Sequence, residues 1–319
     1  MKRIAVLTSG GDAPGMNAAI RAVVRRSIEN HIDVFGVERG YEGLVNNDFI
    51  PLTRRSVAGI IAHGGTVIKT ARSEAFMTNG GFGQAVENLR DNKIETIVVI
   101  GGDGSMAGAQ RLSEAGIKTM VIPATIDNDM CGTDYTIGFD TALNTVLDSV
   151  FKIRDTAASH ERVAIVEVMG RTAGHIALQS GLACGAEVIM VPEQPMDIDE
   201  LCQQLNESHG RGKQYSMIML AEGAGKGFDL AEQINKRTHY NPHVTVLGYI
   251  QRGGAPSAYD NTMATRMGAL AIDAILLGDT DRLVACRDGK LLTVPYQEAF
   301  TVKRDLDFEL YQLARDLSI

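Results

Sequence analysis

Short β-branched runs alternate with longer segments of helical period along the whole chain, and this alternation narrows the possible folds more than any other feature. Runs at 4–7, 34–37, 97–100, 119–122, 163–168, 188–191, 216–220 and 244–247 are almost continuously apolar. Strands that read this way are buried on both faces, as in parallel sheets covered by helices. Between them, segments at 16–28, 82–92, 105–115, 143–158, 176–182, 198–209 and 264–277 place apolar residues with a helical period. The pattern predicts an α/β, doubly wound architecture with ligands at the carboxyl ends of strands. A chain of 319 residues is long enough for two lobes with separate cores. No low-complexity linker marks a boundary, and the helical stretch around 140–160 is the best candidate for a bridge.

Three runs lead into glycine-bearing loops and then into helices, so one β-loop-α solution is used repeatedly. The clearest is Gly101-Gly102-Asp103-Gly104-Ser105, directly after Ile97-Val98-Val99-Ile100. Bare backbone N–H groups at such a helix start attract phosphate. Asp103 would repel phosphates by itself, so its presence calls for a cation, and Mg²⁺ prefers one or two carboxylates plus phosphate oxygens. A first loop, Gly10-Gly11-Asp12-Ala13-Pro14-Gly15-Met16-Asn17, has the same character, with Pro14 suited to a helix start. Neither loop is a GxxxxGK[ST] motif. The run 102–108 has the form GxGxxxG, yet a nicotinamide reading would press Asp103 against a pyrophosphate.

A third loop, Thr125-Ile126-Asp127-Asn128-Asp129, offers two acids with one residue between them. In extended backbone both would project to one side. They could form a second metal site, or one could take a proton from an attacking hydroxyl while its neighbour positions that hydroxyl. Thr125 could donate to a phosphoryl oxygen. Arg72, Arg162, Arg171 and Arg252 sit beside small residues or expected strand ends, and guanidinium geometry matches phosphate. A phosphate cradle, a metal-suited acid and a candidate base together suggest a kinase.

The net charge of −8 argues against nucleic acid or an anionic membrane as the main partner, so an anionic substrate must be met by local arginines. Cys131, Cys184, Cys202 and Cys286 are scattered, with no CxxC pair, which favours reduced thiols in the cytoplasm. No apolar stretch has membrane-spanning length, and the first apolar run is too short for a signal peptide.

Taken together, the loops at 7–17, 101–105 and 125–129, with Glu167-Val168-Met169-Gly170-Arg171 and Gly248-Tyr249-Ile250-Gln251-Arg252-Gly253-Gly254, resemble the bacterial ATP-dependent 6-phosphofructokinases. The resemblance spans essentially the whole chain in order and spacing. It implies two Rossmann-like lobes with the active site in the cleft between them: 1–138 with 251–300 for ATP, and 139–250 with 301–319 for fructose 6-phosphate. It implies Mg²⁺-assisted transfer of the ATP γ-phosphoryl to the sugar 1-hydroxyl, releasing ADP, in a homotetramer that shares sites between subunits. Asp127 is then the base and Asp129 its orienting neighbour, with Thr125, Arg171 and Arg72 stabilising the phosphoryl group. Gly11, Tyr41, Arg72, Ser73, Phe76, Gly102, Asp103, Gly104, Ser105 and Gly108 line the ATP site. Thr125, Ile126, Met169, Gly170, Glu222, Ile250, Gln251 and Arg252 face the sugar phosphate, while Arg162 and His243 reach in from a neighbouring subunit.

Several positions depart from the family pattern. His243 stands where Arg is usual and Tyr249 where His is usual, and neutral imidazole holds phosphate less well than guanidinium. The expected effector site, for ADP-type activators and phosphoenolpyruvate, keeps Arg21, Arg25, Arg54, Arg154, Gly185, Glu187, Arg211 and Lys213. Gly59, Gln214 and Tyr215 replace Asp, Lys and His there, so a weakened effector response is expected. Gly104 and Ala124 are small where pyrophosphate-using relatives have Asp and Lys, which points to ATP as donor. A catalytically silent nucleotide sensor of the same fold is the competing reading, and a pyrophosphate-dependent enzyme is another.

Overall fold

Short β-branched and aliphatic runs form the strands, and glycine or a short polar side chain caps most of the helices. In the computed structural model, which describes residues 2–318, the chain forms two units. The first takes the chain up to Ile126, Met130–Thr141 and Arg252–Arg304; the second takes Asp127–Asp129, Ala142–Gln251 and the chain from Asp305.

The first unit opens with β1 (Arg3–Thr8), α1 (Met16–Glu29), β2 (Asp33–Val37), α2 (Tyr41–Asn46), β3 (Phe49–Leu52), α3 (Glu74–Met77), α4 (Asn79–Asp91), β4 (Thr96–Gly101), α5 (Asp103–Glu114) and β5 (Lys118–Pro123). Helix α6 (Phe139–Ser159) leads into the second unit: β6 (Val163–Val168), α7 (His175–Cys184), β7 (Val188–Met190), α8 (Ile198–Gly210), β8 (Ser216–Ala221), α9 (Gly227–Arg237) and β9 (His243–Val246). The chain returns for α10 (Ala258–Leu277), β10 (Arg282–Arg287), β11 (Lys290–Pro295) and α11 (Tyr296–Ala299), and α12 (Phe308–Leu317) ends in the second unit.

The first unit's sheet has the order β11-β10-β5-β4-β1-β2-β3. Its five central strands run parallel, and antiparallel β3 and β11 close the edges. Side chains alternate across it: Ala5, Leu7, Ile97 and Val99 face a core with Leu44, Leu89, Met106, Leu112 and Val121. Against the other face α1 and α10 pack closely, since a Cβ on Gly268 would lie 2.8 Å from both the Ala19 carbonyl and the Ala22 methyl. The second unit's sheet, β7-β8-β6-β9, is all parallel. Val163, Ile165, Ile218 and Leu220 face Leu201, Leu205, Leu230 and Ile234 beneath α8 and α9. Each such aliphatic side chain contributes about 1.5–3 kcal/mol on burial.

All eight expected strand runs and seven helical segments appear, with β9 displaced one residue towards the amino terminus and β7 ending one residue short. The chain also forms β3, β10, β11, α2, α3, α9, α11 and α12, which no sequence expectation covered. Pro14 lies just before the start of α1, as expected, and Gly15, at φ 106°, is the N-cap. The α1 start needs a left-handed backbone and close packing on Ile137, which only glycine tolerates. All four cysteines are free thiols. Among the described residues, no helix is long and apolar enough to cross a membrane.

Candidate active site

In the first unit the strand order reverses at β1 and β4, and the loops after these two strands carry the glycines. Open α/β sheets bind ligands at such a switch point. Thr8 pairs with Ile100, and the Ser9 amide donates to the Ile100 carbonyl at 3.0 Å. The Gly10-Gly11 turn therefore lies beside the 101–105 turn. A Cβ on Gly101 would sit 2.5 Å from the Ser9 carbonyl oxygen and overlap the Ser105 hydroxyl, so only glycine fits. Gly101→Ala should cost roughly 3 kcal/mol and lower the melting temperature by on the order of 5–10 °C in a thermal scan.

Gly102 is the N-cap of α5 and brings no capping side chain, and a helix start of this kind suits an anion. Asp103 is the first helical residue, and one of its oxygens accepts the Cys131 amide at 3.1 Å. Gly104 is exposed, and a Cβ there would meet nothing within 4 Å. A Cβ on Gly102 would lie 3.8 Å from Thr125, so the loop after β5 borders the same turn.

Tyr41 and Phe76, expected as nucleoside contacts, are buried and stack with centroids 4.3 Å apart. Tyr41 donates to the Ser105 carbonyl at 2.6 Å, and its ring leaves no room for a Cβ on Gly108. Burial pushes the Tyr41 phenol well above its ordinary range, so it remains a donor. Ser73 caps α3 and donates to Glu42 at 2.5 Å, while Thr70 donates to the Gly10 carbonyl at 2.8 Å. These bonds hold the 66–73 segment, with exposed Arg72, beside the first phosphate loop. Arg252 approaches that loop too: a Cβ on Gly11 would be 3.2 Å from its guanidinium. Thr70, Glu42 and Asn17, which accepts the Val67 amide and donates to the His63 carbonyl, were not singled out from sequence.

The acid pair departs from expectation. Ile126 and Asp127 form a turn and Asn128 adopts φ 52°, so 127–129 is not extended and the two acids do not share a face by strand alternation. Asparagine tolerates this left-handed backbone, and the turn leaves Asp127 buried and Asp129 half-buried.

In the second unit the carboxyl ends of β6, β8 and β9 gather most of the expected sugar-phosphate residues. The Met169 amide donates to buried Gln251 at 3.2 Å, and the Arg171 amide donates to Glu222 at 2.9 Å. Gly170 at φ 139° and Arg171 at φ 54° turn the chain so that the Arg171 side chain is exposed. Tyr249 and Ile250 are exposed on the 3₁₀ turn that ends at Arg252. Arg162 and His243 are not part of this cluster. They are exposed at the amino ends of β6 and β9, where Ala164 pairs with His243, roughly 16 Å along the strand from Met169.

The expected effector residues of this unit do come together. Arg154 donates to the Cys184 and Gly185 carbonyls, and Lys213 pairs with buried Glu187 at 2.8 Å. Arg211 pairs with Glu207 at 3.9 Å, while Gln214 is exposed and Tyr215 half-buried. In the first unit, Arg21 and Arg25 share a face of α1, and Arg54 lies 4.0 Å from Glu29. Gly59 is at φ 75° with open space around it.

An α/β chain whose sheet delivers a glycine-lined, acid-bearing helix start at its switch point belongs to the phosphate-binding class of doubly wound proteins. More particularly, this chain belongs to the phosphofructokinase family, whose model matches residues 3–275. It is 54% identical over 319 residues to the ATP-dependent 6-phosphofructokinase of Brevibacillus brevis and 53% over 318 residues to that of Clostridium tetani, each covering 100% of both chains. Among solved structures, phosphofructokinase from Saccharomyces cerevisiae matches with a TM-score of 0.88 at 35% identity, covering 100% of this chain. This chain spans 48% of that yeast chain. A pyrophosphate-dependent phosphofructokinase from Marinobacter aquaeolei shares the fold, with a TM-score of 0.88 at 23% identity over 97% of this chain and 86% of its own.

Proposed function

We propose that this chain is a glycolytic kinase that transfers the γ-phosphoryl group of ATP to the 1-hydroxyl of fructose 6-phosphate, releasing ADP and fructose 1,6-bisphosphate in the cytoplasm. The observation that carries this is the 101–105 turn with Asp103, in a chain about half identical from end to end to relatives named for that reaction.

The first unit supplies the nucleotide side. Amides at the start of α5 and around Gly11 receive the phosphates, Ser73 and Arg72 flank them, and the Tyr41–Phe76 stack with Gly108 forms the nucleoside floor. Among the described residues, no three His, Cys, Asp or Glu side chains gather as a resident metal site. Asp103 suits a Mg²⁺ ion carried in by the nucleotide, because that ion takes few carboxylates and completes its shell with phosphate and water. When bound, the ion would offset charge on the phosphates.

In the transfer step, Asp127 accepts the proton of the sugar 1-hydroxyl and the freed oxygen pair attacks the γ-phosphorus as the bond to ADP breaks. Asp129 orients that hydroxyl; Thr125, Arg171 and Arg72 stabilise the phosphoryl oxygens. Met169, Gly170 and Glu222 hold the sugar, with Ile126, Tyr249, Ile250 and Arg252 near it. Gln251 acts through the Met169 backbone that it accepts. Arg162 and His243 stand at the opposite strand ends, so if they bind the same 6-phosphate they do so from another copy, in a homotetramer. The lobes proposed for the two substrates are 1–138 with 251–300 and 139–250 with 301–319.

The test is a coupled assay for ADP release that depends on fructose 6-phosphate, run beside pyrophosphate as donor. ATP-dependent turnover is expected. ATP binding without turnover would favour a silent sensor, and equal use of pyrophosphate would overturn the donor assignment. Gly59, Gln214 and Tyr215, in place of charged or basic residues, support a weak effector response. Phosphoenolpyruvate is therefore expected to shift the fructose 6-phosphate saturation curve less than twofold, which a sigmoidal shift of tenfold would contradict.

A further inference from the structure

The sequence Ser257-Ala258-Tyr259-Asp260 has the form of a helix capping box, in which the acid would bend back to its own N-cap amide. Half of the box is made: Ser257 accepts the Asp260 amide at 3.1 Å. The Asp260 carboxylate turns elsewhere. One oxygen accepts the Tyr135 hydroxyl at 2.5 Å and the Gly138 amide at 2.6 Å, and the other accepts the Thr141 amide at 2.8 Å and its hydroxyl at 2.6 Å. The Ser257 amide that a capping box would satisfy donates to the Thr141 hydroxyl at 2.9 Å instead.

Asp260 is fully buried. A buried carboxylate is costly unless its oxygens are filled, so this side chain fastens the 135–141 segment to α10 with little freedom. That segment in turn carries two of the loops assigned above. The Ile137 amide donates to the Pro123 carbonyl at 3.0 Å, Ala124 bridges Ile137, and the Thr136 hydroxyl donates to the Thr125 carbonyl at 2.6 Å. On its other side, a Cβ on Gly138 would be 2.6 Å from the Ala13 methyl, and one on Gly15 would be 2.6 Å from Ile137 and 3.6 Å from Asp260. The 123–125 loop and the 10–15 loop therefore rest on one short segment that Asp260 anchors.

We propose that Asp260 is a positioning residue for phosphoryl transfer: it fixes the 135–138 segment and thereby the placement of Thr125 and the Gly10–Gly15 turn. It touches neither substrate. The proposal rests on the kinase reading, but its structural half can be measured without turnover. Asp260→Asn keeps the shape and loses acceptor capacity for two of the four donors. Tyr135→Phe removes one donor, and Thr141→Val removes another.

The experiment combines steady-state kinetics, equilibrium ATP binding, thermal melting and backbone hydrogen exchange on the full-length protein. Asp260→Asn should lower kcat at least thirtyfold, with a smaller loss of ATP affinity because the Gly10–Gly15 turn is held less firmly. Exchange in peptides covering 123–138 should speed up at least tenfold, with β6 and β8 of the second unit unchanged. Tyr135→Phe should show the same pattern at smaller size. If Asp260→Asn does not fold, the two milder variants carry the same comparison. Uniformly faster exchange with kcat per folded molecule intact would overturn the proposal, as would slow exchange in 123–138 in every variant. Should the parent show no fructose 6-phosphate-dependent turnover, the kinase reading falls while the exchange data still decide what Asp260 holds.

Discussion

Asp127→Asn should lower kcat by roughly a thousandfold, the scale of losing a positioned general base, while the affinity for ATP changes less than threefold. The asymmetry follows from where the charge acts. The proton leaves the sugar hydroxyl only as the oxygen attacks, so an amide that cannot accept it removes help in the transition state and none in the ground state. Asp127 is buried in a turn, and asparagine matches its shape, so the fold should survive the change. Equilibrium titration with ATP beside the coupled assay separates the two effects. A variant with kcat within tenfold of the parent would remove Asp127 from the role of base.

The second large effect is expected at Gly104. Its position is exposed, a Cβ would meet nothing within 4 Å, and an acid in the first turn suits a helix start, so Gly104→Asp should fold as well as the parent. Yet the added carboxylate would stand beside Asp103 at the amides that receive phosphate. Two like charges about 4 Å apart interact by about 1 kcal/mol in water and about 4 kcal/mol at the effective dielectric of a protein surface. Use of ATP, read as kcat/KM, should therefore fall roughly ten- to a thousandfold. Gly104→Ala is the control, because it adds volume without charge and should cost far less. Equal losses in both variants would mean that size, and not repulsion, governs this turn.

Much of the fold was legible because its strands advertise themselves. Buried parallel strands must be apolar on both faces, so 97–100 and 163–168 could be read directly. The edges escaped notice for the complementary reason. β3 contains Pro51 and lies at an antiparallel edge, where a missing amide is tolerated; β11, the other edge, is only half-buried along most of its length, and β10 beside it has just four apolar residues between two arginines. The hairpin between them did carry a signal, Asp288-Gly289, with both residues at positive φ as a tight hairpin turn demands. α2 and α3 are too short to show a period.

The candidate site divides in the same way. Glycine-lined helix starts can be recognised in one dimension, because each is a contiguous run whose chemistry is local: bare amides, an acid, no side chain in the way. The resemblance carried roles to single residues on that basis. The geometry of 127–129 could not be read so, since alternation applies only to extended backbone and Asn128 is left-handed.

The order of residues by itself determined the layered α/β plan, the phosphate-receptive turns and the acids beside them, because propensity, periodicity and helix-start chemistry all act over a few neighbouring residues. Only the tertiary structure decided that Asp260 would abandon its own helix cap for Tyr135, Gly138 and Thr141, and that Arg162 and His243 would stand at the far strand ends from Met169. Those outcomes depend on which segments the sheet order brings side by side, and a buried carboxylate binds the donors that packing delivers to it, however distant they are in the chain.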